Sequence, residues 1–181
     1  LRALAPTPRL AIDDGDISDT EILLTSWGAP RLDAVLLDRM PRLRAVVHAA
    51  GSVQQLVSDD LWRREITVTS AADANAVPVA EYTFATIILA FKRAFVHMRS
   101  PSTVLEWRDL VGSTRYGSVG RTVGIVGFSR IGRRVVRMLG QLDGIRILVA
   151  DPFVSPQAVA DAGAELLPLD DMLGQVDVLS L

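Results

Sequence analysis

The chain has 181 residues, a formal net charge of −2, and 49% hydrophobic against 22% charged residues. On a soft prior of about 150 residues per domain this is one domain or one and a fraction, and it is too apolar to be disordered. There is no cysteine, which excludes disulfides, thiolate catalysis and cysteine-ligated metals and fits a reducing, cytoplasmic setting. Every basic residue except Lys92 is an arginine, and they are scattered. No basic cluster marks a nucleic-acid face, so no nucleic-acid partner is expected. The longest uncharged apolar stretch, 82–91, is far short of the ~20 residues a spanning helix needs, so no membrane partner is expected either. Leu1-Arg2-Ala3-Leu4 shows no charged leader before an apolar segment, and no signal peptide is expected.

Residues 21–27 predict a strand bounded by Gly28 and Pro30. Leu32, Val35, Leu36 and Met40 have helical spacing within 31–40. Residues 44–50 predict a second strand, stopped by Gly51. A short helix over 58–65 takes Ser58 as its N-cap, and 66–70 is a β-branched strand. A long helix is predicted from about 77 to 97, with Pro78 in its first turn, where the missing N–H costs little. Its nearly all-round apolar surface fits burial, including burial in a subunit interface. Residues 100–120 read as a connector containing Trp107.

The pattern then sharpens. Strands are predicted at 122–128, 145–150, 165–167 and 176–181, with helices at 131–142, at 169–175, and between Ser155-Pro156 and Gly163. Alternating strands and helices, with continuously apolar strands, predict an α/β chain with parallel sheets covered on both faces. The chain splits near residue 76 into two such units.

The stretch Val126-Gly127-Phe128-Ser129-Arg130-Ile131-Gly132 lies between a predicted strand and a predicted helix. In a dinucleotide fold the first glycine of such a turn permits the tight reversal. The second lets the backbone approach a pyrophosphate, and the third lets helix pack on strand. Gly127 and Gly132 hold the first and third positions, whereas Ser129 holds the second. The serine hydroxyl is placed to donate to a phosphate oxygen, beside the free N–H groups of a helix start. Arg130, with Arg133 or Arg134, can add a charge-assisted contact. Asp151 follows Gly132 by about 20 residues at the end of the next strand, where an acid accepts from ribose hydroxyls. Its charge opposes a 2′-phosphate, which predicts NAD over NADP.

These residues resemble the D-isomer-specific 2-hydroxyacid dehydrogenases, the family that includes phosphoglycerate dehydrogenase. The likeness runs from about residue 19 to 181. It includes Pro41-Arg42-Leu43-Arg44 through Gly51, Asn75-Ala76-Val77-Pro78-Val79-Ala80-Glu81, Trp107, Val119-Gly120-Arg121, the turn at Gly127, Asp151-Pro152, and Asp177 with the strand after it. The resemblance implies two parallel-sheet domains, Rossmann-like and flavodoxin-like, both incomplete here: 1–76 from the substrate domain and 77–181 from the NAD-binding domain. It implies hydride transfer between NAD(H) and a small D-2-hydroxy acid or its 2-oxo acid. It implies a homodimer through the 77–97 helix and the cofactor domain. Ala50, Gly51 and Ser52 match the loop whose backbone N–H groups hold the substrate carboxylate, although Ser52-Val53-Gln54-Gln55 departs from the usual valine–aspartate sequence. As bare residues, Gly51 is equally a strand terminator, whereas Asn75 reads rather as an N-cap of the long helix. In the family Asn75 matches a cleft position, and Val79 one beside the nicotinamide. The cofactor-binding set is then Val79, Gly127, Phe128, Ser129, Arg130, Ile131, Gly132, Asp151 and Pro152.

The family's substrate-clamping arginine, its histidine and the acid that orients it all follow the strand matching 176–181. They are therefore expected after Leu181, and the 181 residues alone are expected to be inactive. His48 matches no catalytic position and reads as structural. His97 reads as solvated or as a helix C-terminal partner. The leading Leu1 and the strand-like end predict that both ends are cut. A second reading, the NAD-responsive scaffold of the carboxy-terminal binding protein corepressors, keeps the fold without catalysis. A third, the adenosylhomocysteine type of hydrolase, is opposed by the stretch from Asn75 to Glu81.

Overall fold

The computed structural model describes residues 15–99, 108 and 116–181, so Trp107 and most of the predicted connector lie outside the described residues. The chain divides into two compact units, Leu1–Asn75 and Ala76–Leu181.

The first unit carries β1 (Ile22–Thr25), α1 (Ala34–Asp38), β2 (Ala45–His48), α2 (Asp59–Arg63) and β3 (Thr67–Ser70). Its three strands are parallel in the order β1-β2-β3. Leu23, Val46 and Val68 lie in register across the sheet and pack into a core with Leu32, Leu37 and Leu61. The period of two in a strand puts all three on one face. Ser58 caps α2 as predicted: its hydroxyl oxygen accepts from the Leu61 N–H at 3.2 Å while the hydroxyl donates to the Leu32 carbonyl. His48 is buried at the end of β2 and pairs through Nδ1 with the Thr25 hydroxyl at 2.9 Å. That gives one ring nitrogen a partner and fits the structural role expected of it.

α3 spans Ala72–Phe91 and is followed by α4, Ala94–Arg99. This corrects the single helix expected over 77–97 at both ends. The helix starts earlier because Ala72, Ala74 and Ala76 are strong helix formers and Asp73 complements the positive helix start. Pro78 therefore sits inside the helix rather than in its first turn. The helix breaks because Arg93 adopts φ +51, a left-handed conformation that terminates an α-helix. At 20 residues and a mean hydropathy of 1.4, α3 is long and apolar enough to cross a membrane by those two measures. Ala80, Ile87 and Phe91 pack into the core of the second unit, but only 22% of this apolar window is buried and Tyr82 and Leu89 are exposed, so the burial expected of the helix is met on one face only.

The second unit continues with β4 (Thr122–Val126), α5 (Arg130–Leu139), β5 (Arg146–Ala150), α6 (Pro156–Ala160), β6 (Glu165–Leu166), α7 (Leu169–Leu173) and β7 (Val178–Ser180). Its strands are all parallel, in the order β6-β5-β4-β7. Successive β5 residues feed opposite cores: Ile147 and Val149 join Val135, Val136 and Leu139 of α5, while Leu148 and Ala150 join Met172 of α7. Both faces are thus covered, as the continuous apolar strands predicted. The order reverses between β4 and β7, since β5 and β6 run outward on one side and β7 returns on the other. In open parallel sheets such a switch point, at the carboxyl ends of the strands, is where ligands bind.

Candidate functional site

The turn from β4 into α5 occupies that switch point. Gly127 has φ +91 and is held by its N–H to the Ala150 carbonyl at 2.9 Å. A side chain rarely adopts this backbone conformation, so the position requires glycine. A Cβ built on Gly132 would lie 2.0 Å from the Gly127 carbonyl oxygen. The helix thus approaches the turn to a distance only glycine permits, which is the packing role of the third glycine.

Ser129 has φ −89, so its backbone needs no glycine. It stands at the N-cap of α5 yet makes no side-chain cap bond. The first intrahelical bond runs from the Arg133 N–H to the Ser129 carbonyl at 3.1 Å. The N–H groups of Arg130, Ile131 and Gly132 therefore have no acceptor within the helix. Three N–H groups, a hydroxyl without a cap bond and the positive end of a ten-residue helix lie together here, an arrangement chemically suited to an anion. Arg130 and Ile131 are exposed beside it.

Phe128 differs from its neighbours. It is 1% exposed and belongs to the core, with the Arg133 guanidinium 4.5 Å from its ring centroid. Its side chain anchors the turn from below, and any contact with a ligand falls to its backbone. Sequence reading missed this, because an apolar residue between two glycines looks the same whether it faces a ligand or the core.

Asp151 follows β5 and is partly buried. Its Oδ2 accepts from the Phe128 N–H at 2.7 Å and its Oδ1 from the Phe153 N–H at 2.8 Å. The second bond is the ordinary turn an Asp makes two residues on. The first joins residues far apart in the chain, and no local spacing encodes it. The Phe128 bond, then the Phe153 bond, with Arg133 adding its charge, hold the Asp151 carboxyl below its ordinary value of 3.8 against a smaller opposing effect of burial. A depressed folded value contributes stability that is full above 3.8 and is lost as the pH falls through that lower value. The amide shift of Phe128, followed by NMR, is accordingly expected to stay flat from neutral pH down to about 5. A transition centred above 3.8 would contradict the bond. Pro152 is exposed beside this acid, and Phe153 is 94% exposed.

In the first unit, Ala50 is buried, Gly51 is half-buried and Ser52 is exposed. The Ala71 N–H is shared between the carbonyls of His48, at 3.0 Å, and Ala50, at 3.1 Å, which ties down the start of the loop. Asn75 is not an N-cap. It lies inside α3, with its N–H donating to the Ala71 carbonyl at 2.8 Å. Its side-chain amide Nδ2 would stand 3.0 Å from a Cβ on Gly51, so the glycine leaves room for the amide. The structure thus brings Asn75 and Gly51 together. Val79, on α3 in the second unit, is 38% exposed. His97 pairs with the Tyr116 hydroxyl at 2.6 Å rather than standing in solvent alone.

The sequence pattern of the D-isomer-specific 2-hydroxyacid dehydrogenase NAD-binding domain matches residues 85–181. A glyoxylate reductase of Thermococcus kodakarensis is 32% identical over 171 residues, which are 91% of this chain and 50% of that protein. A D-3-phosphoglycerate dehydrogenase of Mycobacterium tuberculosis is 32% identical over 155 residues, covering 84% of this chain and 28% of its own. The crystal structure of D-lactate dehydrogenase from Aquifex aeolicus complexed with NAD and lactic acid superposes with a TM-score of 0.69 at 24% identity, covering 94% of this chain and 50% of that one. The chain therefore spans about half the length, or less, of the relatives it matches. Since the NAD-binding-domain pattern extends over more than half of the chain, the protein belongs to the D-isomer-specific 2-hydroxyacid dehydrogenase family.

Proposed function

We propose that the whole protein is an NAD-dependent dehydrogenase that interconverts a small D-2-hydroxy acid and its 2-oxo acid. The observation that carries this reading is the turn at Gly127, closed by the Gly132 contact and followed by Asp151 at the next strand end. In this reading residues 77–181 are the first half of the NAD-binding domain and 1–76 part of the substrate domain. The N–H groups of Arg130 and Ile131 and the Ser129 hydroxyl bind the pyrophosphate. Asp151 accepts from the adenosine ribose, with Pro152 beside it, and Val79 borders the nicotinamide. The backbone of Ala50, Gly51 and Ser52, with the Asn75 amide, orients the substrate carboxylate. Bound NAD(H) supplies the hydride acceptor or donor.

Relatives named glyoxylate reductase and D-3-phosphoglycerate dehydrogenase support a catalytic role over that of a partner-binding scaffold. The exposed Tyr82 and Leu89 of α3 support a homodimer through this helix, and the cysteine-free composition supports a cytoplasmic setting. The full-length protein is expected to oxidise NADH with glyoxylate, pyruvate or hydroxypyruvate, and no turnover with any of the three would count against the reading. Calorimetry is expected to give NADH at least roughly tenfold tighter than NADPH, because the Asp151 carboxylate repels a 2′-phosphate. Tighter NADPH binding would refute the assigned role of Asp151.

A further inference from the structure

Both oxygens of the Asp151 carboxylate are already engaged by the protein's own backbone. One of those bonds reaches across from the end of β5 to Phe128, the residue between Gly127 and Ser129 of the phosphate turn. The two strands are joined at this level by a second bond, from the Gly127 N–H to the Ala150 carbonyl. Two consecutive N–H groups of the turn are thus fixed to two consecutive residues at the end of β5. The Phe128 side chain fixes the same residue from the core side.

We propose that Asp151 is a positioning residue for the phosphate-binding turn as well as a ribose acceptor, so that it shapes the pyrophosphate cradle before any cofactor arrives. This rests on the reading of the turn as a pyrophosphate site. A carboxylate oxygen has acceptor capacity for more than one donor, so the Phe128 bond and a ribose hydroxyl can share Oδ2. The bond is charge-assisted and short, the stronger class of hydrogen bond. Without it the Phe128 N–H would lose its acceptor, and Gly127 would keep the one remaining backbone bond from the turn to the end of β5 given above.

The two roles separate with a ligand that has no adenosine ribose. Reduced nicotinamide mononucleotide carries one phosphate for the cradle and nothing for a ribose acceptor at Asp151. In the full-length protein, Asp151→Asn keeps the side-chain shape but turns an amide N–H toward one of the two backbone donors. It is expected to weaken this mononucleotide by about threefold or more, alongside NADH. With no ligand present, the Phe128 amide is expected to exchange with solvent roughly tenfold faster in the variant, as for loss of a charge-assisted bond. A variant that weakens NADH yet leaves both the mononucleotide and the Phe128 exchange unchanged would overturn the proposal, leaving Asp151 a ribose acceptor only. In the unsubstituted protein alone, an unprotected Phe128 amide would overturn it too, whatever the variant's fold. If neither NADH nor the mononucleotide binds the unsubstituted protein while Phe128 is protected by Asp151, the pyrophosphate reading falls and takes the proposal with it, a result distinct from the failure of the variant to change mononucleotide binding and Phe128 exchange.

Discussion

Gly132→Ala is expected to weaken cofactor binding severely and to destabilise the second unit. The added Cβ would lie 2.0 Å from the Gly127 carbonyl oxygen and 3.1 Å from its carbon. Neither neighbour is the end of a flexible side chain, so α5 and the turn must move apart. Both are fixed: Val135, Val136 and Leu139 bury α5 in the core, and the Gly127 N–H is bonded to β5. Overpacking of this kind costs about 3 kcal/mol. For a unit of this size that lowers the melting temperature by roughly 12 °C or more. Moving the turn separates the free N–H groups from their common focus, and roughly a hundredfold loss in NADH affinity is expected. Fluorescence titration with NADH and a thermal melt of the full-length protein measure the two effects. A variant melting with the parent and binding NADH equally would show that the close approach is not needed.

Phe128→Ala has the second largest expected effect, on stability first. The ring is 1% exposed and is among the largest fully buried side chains of the molecule. Truncating a buried phenylalanine costs about 3–5 kcal/mol. It also removes the ring under the Arg133 guanidinium, worth about 0.5–1 kcal/mol for a cation at an exposed site. Phe128→Leu keeps most of the apolar volume and is expected to cost under about 1.5 kcal/mol. Arg133→Ala should lose only the smaller contribution. Denaturant unfolding distinguishes these results. A Phe128→Ala variant as stable as the Arg133→Ala variant would mean that the ring does not anchor the turn.

Local chemistry was legible where a residue's own backbone or its near neighbours carry the signal. Ser58 and Ser155 cap their helices as read, each accepting an N–H three residues on. Such caps are set by side-chain reach alone. The long helix was read less well. Pro78 looked like a helix start because proline fits a first turn, but tertiary context tolerates it inside α3. The break at Arg93 carries no glycine, so nothing marked it in the sequence.

By itself, the sequence determined the alternation of strands and helices, the glycines at the turn, and the acid after the next strand. Those follow from periodicity and from backbone conformations that only certain residues adopt. The tertiary structure alone decided the order β6-β5-β4-β7 and so the switch point at which the turn lies. It also decided that Phe128 faces the core and that Asp151 reaches its N–H. These are pairings between residues distant in the chain. They are chosen by which strands share hydrogen bonds and which faces are buried, and no local spacing encodes that choice.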